Sequence, residues 1–341
     1  MKAIDLCAGA GGLSRGLHLA GFKVRGVERV PRAVETHRYN VGPCELADIA
    51  TWRPPHRAEL VAGGVPCQPF STQGARRGFD EEHHHGSLFG AEVERRGHLY
   101  EHLIRVAVEA EARAVLLENV PGLGQWNEGA ALAAIVAAMR AAGFVRVEVA
   151  TLDAADYGVP QHRKRLFVAG IRGGASEAFR WPDPTRGLGR IPWVTVREAL
   201  RPTGNLLEEL ERAGLADRPA TTISAGGCGR LARPGHKVDG DQWKGCVRLN
   251  TEQCATLQGF PTGFRFAGTT SEVHAQIGNA VPPALGEVVG RSVLDALRPV
   301  PSHSGHTGPS PVCGSYASPD PAQYRQRRED IVSPSYARGL P

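Results

Sequence analysis

The first half of the chain alternates short apolar runs with segments whose apolar residues recur every three or four positions. Residues 2–6 read as a strand, 13–20 as a helix, 23–28 as a strand and 33–39 as a helix. Further strands are predicted at 59–62, 114–118, 145–152 and 166–171, with an Ala-rich helix at 129–142. Interleaved strands and helices predict an α/β fold around a parallel sheet, since parallel neighbours need a crossover long enough to hold a helix. From 172 to 247 the periodicity weakens, and Trp181, Trp193 and Trp243 stand scattered among Gly, Pro and Arg. That stretch is expected to form a separate small domain. A helix should open at Thr251, its hydroxyl capping residues 252–258, and a last one should span 284–297 after Pro282-Pro283. Residues 299–341, rich in Pro, Ser and Gly, are expected to be a disordered tail.

A chain of 341 residues with 41% hydrophobic residues, 42 glycines and 25 prolines suits a loop-rich enzyme of one large domain with an appendage, or of two domains. No stretch approaches the roughly 18 uncharged apolar residues of a membrane span. Asp5 comes too early for a signal peptide, so a cytoplasmic protein is expected. The seven cysteines include no Cys-x-x-Cys pair, which argues against a disulfide framework and a zinc site. His83-His84-His85 has no partner ligand at zinc spacing and is expected to face solvent, so no metal is expected. The net charge of +5 is unevenly spread: residues 160–190 hold Arg163, Lys164, Arg165, Arg172, Arg180, Arg186 and Arg190 against Glu177 and Asp183. Such a segment suits a polyanion, or is a plain solvated face.

The chemistry centres on Gly64-Val65-Pro66-Cys67-Gln68-Pro69-Phe70-Ser71, which sets a cysteine between prolines just after an apolar strand. Prolines stiffen the turn, and the carboxyl end of a strand is where open α/β sheets bind ligands, so Cys67 is a candidate nucleophile. A buried, inert cysteine is the alternative. Asp5-Leu6-Cys7-Ala8-Gly9-Ala10-Gly11-Gly12 ends the first strand in a glycine turn that lets a cofactor approach the backbone. Glu28 ends the next strand, where a carboxylate can bind a ribose diol, and Asp48 is placed to accept from an adenine amino group or to cap a turn. Glu118 ends a third apolar run, where partial burial would raise its pKa and make it a proton donor near neutral pH. In Gln161-His162-Arg163-Lys164-Arg165, alternation places Gln161, Arg163 and Arg165 on one side of an extended segment.

Together these pieces resemble the DNA cytosine-5 methyltransferases of bacterial or phage restriction-modification systems, over nearly all of residues 1–298 and in the family's order. The residues 5–12 are similar to its cofactor motif, Pro66-Cys67-Gln68 to its nucleophile motif, Glu118-Asn119-Val120 to its acid motif and Gln161-x-Arg163-x-Arg165 to its paired-arginine motif. The stretch 248–261 resembles the helix that supports the recognition domain, and 276–282 the last motif, which completes the cofactor pocket. The resemblance implies a Rossmann-like S-adenosylmethionine-dependent methyltransferase sheet at 1–171, a small target-recognition domain at 172–247 and a return segment at 248–298.

The resemblance also implies an activity: transfer of a methyl group from S-adenosylmethionine to carbon 5 of a flipped-out cytosine in double-stranded DNA. Cys67, Glu118, Arg163 and Arg165 are the implied catalytic residues. Asp5, Cys7, Ala8, Gly9, Ala10, Gly12, Glu28, Asp48, Ile49, Pro66, Leu99, Asn279 and Ala280 would line the cofactor, and Gln68, Ser71, Gln161, Arg230 and Lys237 would meet DNA. A monomer is expected; the resemblance allows, but does not require, a restriction endonuclease acting on the same site as its partner. Three departures stand out. Cys7 replaces the family's usual Phe, residues 81–95 look inserted, and the recognition region is short. An RNA-directed branch shares these motifs, but its Cys-Phe-Thr sequence is absent here. Two readings compete from different classes: a catalytically silent DNA-binding protein, which intact Cys67, Glu118, Arg163 and Arg165 oppose, and an NAD-type oxidoreductase, which leaves Pro66-Cys67-Gln68 unexplained.

Overall fold

In the computed structural model, residues 1–65, 99–232 and 246–298 are described. They build a seven-stranded sheet of order β3-β2-β1-β4-β5-β7-β6. Its strands are β1 (Lys2–Leu6), β2 (Lys23–Glu28), β3 (Cys44–Leu46), β4 (Leu60–Gly64), β5 (Ala114–Asn119), β6 (Arg146–Asp153) and β7 (Lys164–Ile171). β1 pairs in parallel with β2 and β4, β2 with β3, and β4 with β5. Every residue of β5 is buried, as a strand covered on both faces must be.

The all-parallel expectation needs one correction. β7 inserts between β5 and β6 and runs antiparallel to both. The reason lies in the connection: between β6 and β7 stands only a one-turn 3-10 helix, Ala154–Tyr157, closed by Gly158 at φ 88°. No crossover helix is present there to carry the chain back.

Helices cover both faces. On one, α3 (Leu99–Glu109) and α4 (Ala130–Ala141) contribute Leu103, Val106, Ile135 and Met139 to a core with Ile4, Val61, Val115 and Leu117. On the other, α1 (Gly12–Ala20) and α10 (Pro283–Leu297) bring Leu13, Leu17, Leu285 and Val289 against Ala3, Leu60 and Leu116. The α1–α10 crossing is close because Gly16 lacks a side chain: a Cβ there would stand 2.5 Å from the Glu287 nitrogen. α2 (Pro31–Asn40) lies between β2 and β3.

In the region from 172 onward, α5 (Ala175–Ala178), α6 (Val196–Leu200) and α7 (Gly204–Arg212) precede a two-stranded sheet of β8 (Arg230–Leu231) and β9 (Val247–Arg248). α8 (Thr251–Leu257) and α9 (Thr270–Asn279) follow. This region packs partly on the main sheet and partly on α8 and α9. Phe179 and Trp181 pack edge to face at 5.0 Å on the main sheet's own apolar layer. Val196, Leu210, Ile223 and Leu231 share a third cluster with Cys254, Leu257 and Ile277 of α8 and α9. The cap of α8 is Asn250 rather than Thr251. Its side chain accepts from the Gln253 backbone while the Gln253 side chain accepts from the Asn250 backbone, which satisfies two end donors at once. Residues 299–341, Trp243 and the His83-His84-His85 run lie outside the described residues.

Candidate functional site

The carboxyl ends of β1, β2, β4 and β5 open into a cavity of about 1680 Å³. The glycine turn forms its floor. Gly9, at φ +54°, takes a conformation that a side chain disfavours, and a Cβ placed on it would meet nothing within 4 Å, so the backbone there is bare toward the cavity. Gly12 is the opposite case: a Cβ would stand 2.2 Å from the Val281 carbonyl, so α1 starts directly beneath the return segment. Asp5, Cys7, Ala8, Gly9, Ala10, Gly12, Glu28, Asp48, Ile49, Leu99, Asn279 and Ala280 all line this cavity. Cys7 itself sits at φ 54°.

The carboxylates of this wall differ. Glu28 accepts backbone N–H bonds from Gly9 (2.9 Å), Arg29 (2.9 Å) and Val30 (2.8 Å), which tie the glycine turn after β1 to the end of β2. Asp48 is exposed and caps its own turn by accepting from the Ala50 N–H at 2.8 Å. Asp5 is 1% exposed, with Oδ2 2.6 Å from Ser14 Oγ. Burial pushes its carboxyl up to about 7, against the Ser14 hydrogen bond, and the negative charges of Glu28 and Glu118 add to the rise. Among the described residues, its buried Oδ1 has no hydrogen-bond partner.

Glu118 is buried at the end of β5, and Arg165 Nε meets its Oε1 at 3.0 Å. Burial raises the Glu118 pKa, while Arg165 and Arg163 pull it back down. Gly64 makes room for this carboxylate, since a Cβ there would lie 3.0 Å from Oε2. Asn119, to which the sequence pattern assigns no role, donates to the Val65 carbonyl at 3.4 Å, next to the nucleophile turn. Pro66, Cys67, Gln68 and Ser71 lie outside the described residues, as does Lys237.

Arg163 and Gln161 are turned inward, and Arg163 lines the cavity with Arg165. Arg163 and Gln161 are 0% exposed. Arg163 donates to the carbonyls of Ile223 (2.8 Å) and Gly278 (2.7 Å), which links the approach to β7 with the recognition segment and the end of α9. Gln161 accepts from the Ile223 N–H at 2.7 Å and donates to Gln258 Oε1 at 2.7 Å; Gln258 donates onward to the Ala280 carbonyl at 2.7 Å. Gln161 therefore holds the parts of the wall together rather than reaching out to DNA. The residue between the pair, His162, also lines the cavity, with Nδ1 3.1 Å from Asp153 Oδ2 and its ring edge-on to Trp193 at 4.9 Å. Arg230 is exposed on β8, opposite Arg248 of β9. Among the described residues, no cluster of three His, Cys, Asp or Glu is arranged to hold a metal, and no helix is long and apolar enough to cross a membrane.

Comparison with known proteins places this geometry. The chain is 31% identical over 330 residues to the type II methyltransferase M.NaeI of Lentzea aerocolonigenes, covering 87% of this chain and 75% of that protein. It is 29% identical over 328 residues to the type II methyltransferase M.NgoMIV of Neisseria gonorrhoeae, covering 87% and 98%. Among solved structures, the S. pombe Dnmt2 methyltransferase superposes with a TM-score of 0.60 at 17% identity, over 87% of this chain and 98% of that one. The methyltransferase EhMeth of Entamoeba histolytica gives 0.60 at 13% identity, over 88% and 99%. These two likenesses bear on the fold, that of an S-adenosylmethionine-dependent methyltransferase. The model of the C-5 cytosine-specific DNA methylases matches residues 1–209 and 218–295, and with it the chain belongs to that family, as a DNA cytosine-5 methyltransferase of the restriction-modification kind.

Proposed function

We propose that the chain methylates carbon 5 of cytosine within a specific double-stranded DNA sequence, by covalent addition of Cys67 to a base turned out of the helix. The observation that carries this reading is the Glu118–Arg165 pair, 3.0 Å apart and lining the same cavity as the glycine turn. A cytosine ring is a poor nucleophile at C5 until another nucleophile has added at C6. The Cys67 thiolate adds there, while Glu118, whose pKa burial raises against the pull of Arg165 and Arg163, hydrogen-bonds the N3 edge where negative charge develops. Arg165 orients Glu118 and offers its remaining donors to the O2 side. C6 is shielded within a stacked duplex, so the base must leave it at a cost of a few kcal/mol.

The cavity suits the cofactor that the family and fold imply. Asp5 Oδ1 is a buried oxygen with no donor to it among the described residues, and Gly9 leaves the backbone open to close approach. Bound there, S-adenosylmethionine supplies the methyl group on a sulfonium. Asp5 would hold its amino group, Glu28 its ribose, and Ile49 and Leu99 would flank its adenine, with Cys7 standing in for the usual ring. After transfer, loss of the C5 proton and of Cys67 restores the aromatic base. Recognition is placed in 172–247, with Arg230 at a guanine edge, and the enzyme is read as a monomer working beside an endonuclease of the same specificity. Methylation-sensitive sequencing of DNA from a host expressing the chain tests substrate and site together. Recurrent 5-methylcytosine within one short sequence is expected; unmodified DNA would defeat the reading.

A further inference from the structure

Asp5 is joined to two groups that the proposed chemistry does not use. Ser14 Oγ lies 2.6 Å from Asp5 Oδ2 and 2.9 Å from His37 Nε2, and His37 Nδ1 lies 3.3 Å from the Gly42 carbonyl. Ser14 and His37 are 0% exposed. Their hydrogens can be placed by elimination. A carbonyl only accepts, so Nδ1 carries the ring hydrogen and donates to Gly42. Burial holds the ring down to about 4, so near neutral pH it is uncharged and Nε2 is an acceptor. The single hydrogen of Ser14 must then point to Nε2. At 2.6 Å the remaining Asp5 oxygen has to donate, which makes Asp5 a carboxylic acid in this state.

We propose that Asp5, Ser14 and His37 form a buried relay that reverses direction when a cationic amine occupies the cavity beside Asp5. This rests on the proposed function for the identity of that amine. One proton leaves Asp5 for solvent. The Ser14 hydroxyl swings from His37 to Asp5 Oδ2, and the ring hydrogen of His37 moves from Nδ1 to Nε2, giving up its bond to the Gly42 carbonyl to donate to Ser14. Three hydrogens before become two after, and the atoms balance. Ser14 and His37 are thus positioning residues that steady the ionised form of Asp5. The charges facing the relay favour the resting direction. Glu28 of β2 and Glu118 of β5 oppose ionisation of Asp5, and Arg38 of α2 opposes a charged His37. The Cys44 thiol of β3 is pushed up to about 12 by burial and stays neutral.

The test is nitrogen-15 NMR of the histidine rings in the full chain, with His37 assigned by its loss in His37→Gln. In the free protein the Nδ1–H form is expected at pH 5.5 and the Nε2–H form at pH 8.5. Adding S-adenosylmethionine at pH 6 should produce the Nε2–H form and release close to one proton per cofactor, read by calorimetry in two buffers of different ionisation enthalpy. Ser14→Ala should leave the proton release and abolish the tautomer change. One ring form at all pH values, or a change that survives Ser14→Ala, would overturn the relay. A pH-driven change without response to S-adenosylmethionine would keep the relay and remove its coupling to the cofactor. Absence of any cofactor binding would count against the proposed function instead.

Discussion

Gln161 and Gln258 meet amide to amide at 2.7 Å in the interior, and this contact joins the entry of β7 to the end of the helix that follows the recognition segment. With the Arg163 bonds to Ile223 and Gly278 it makes a polar seam through three parts of the chain that are far apart in sequence. Each of these bonds ends on a carbonyl or amide oxygen. A buried polar network stabilises only as far as its members stay paired, so they should be intolerant of near substitutes.

Arg163→Lys is therefore expected to destabilise the fold by about 2 kcal/mol or more, since one ammonium cannot span both carbonyls. Thermal melting checks it. A drop in methylation at unchanged melting temperature would instead put Arg163 in contact with the substrate.

Arg165→Lys should behave differently. Its partner is Glu118 at 3.0 Å rather than a seam of carbonyls, so the expected result is a large fall in kcat with little change in melting temperature or DNA affinity. Glu118→Gln, which keeps shape and removes the carboxyl group, should lower kcat by about 10²–10⁴. Single-turnover kinetics on duplex DNA separates these from binding effects.

Cys67→Ser should abolish methyl transfer while leaving cofactor binding intact, because a hydroxyl is scarcely ionised near neutral pH where a thiol can be. Covalent trapping on 5-fluorocytosine DNA is the direct readout. Trapping by the variant but not by the unaltered chain would assign the addition elsewhere.

Much of the sheet was legible because its strands are buried on both faces, which leaves continuous apolar runs such as 114–118 with sharp ends. The reversed β7 was not, for a strand's direction leaves no trace in its own pattern; only the short link after β6 encodes it. α3 escaped because it begins next to the stretch after Cys67, and α7 because its polar composition hides an apolar stripe of few residues. At the site, Glu118 and the glycine turn were readable from strand ends. Gln161 was not. Alternation puts it on the side of Arg165, and only the arrival of Ile223 and Gln258 from elsewhere in the chain turns that side inward. Ser14 and His37 carried no signal, being a hydroxyl and a ring on two ordinary helices whose meeting depends on the β1–β2 pairing.

Asp5 predicts a pH effect on stability. Its folded value, about 7, lies above the ordinary 3.8, so the folded state binds the proton more tightly than the unfolded chain. The stabilisation is complete below the ordinary value and is lost as pH rises through about 7. Asp5→Asn should flatten this fall, and melting curves from pH 5 to pH 8 will show it. An equally steep fall in the variant would assign the effect to another group.

Sequence choice gives the last expectation. Arg230, exposed on β8, should when changed to Ala cost about 1–3 kcal/mol and relax specificity at one base pair, as loss of a forked guanine contact does. Lys237→Ala should weaken binding evenly across sequences and lower its salt dependence. Methylome sequencing of each variant distinguishes them; an unaltered site for Arg230→Ala with uniformly reduced activity would move it to the phosphate backbone.

The close approach of the Val281 carbonyl to Gly12, where a Cβ would stand 2.2 Å from it, has a bearing on biosynthesis. The turn that would hold the cofactor is made long before the carbonyl beneath which it sits, which belongs to Val281. A ribosome-bound chain that stops short of residue 279 has β1 and its glycines but neither Asn279 and Ala280 on the wall nor α10, the helix that packs against Gly16. The last part of the cavity wall is thus added only after all seven strands of the sheet have been made.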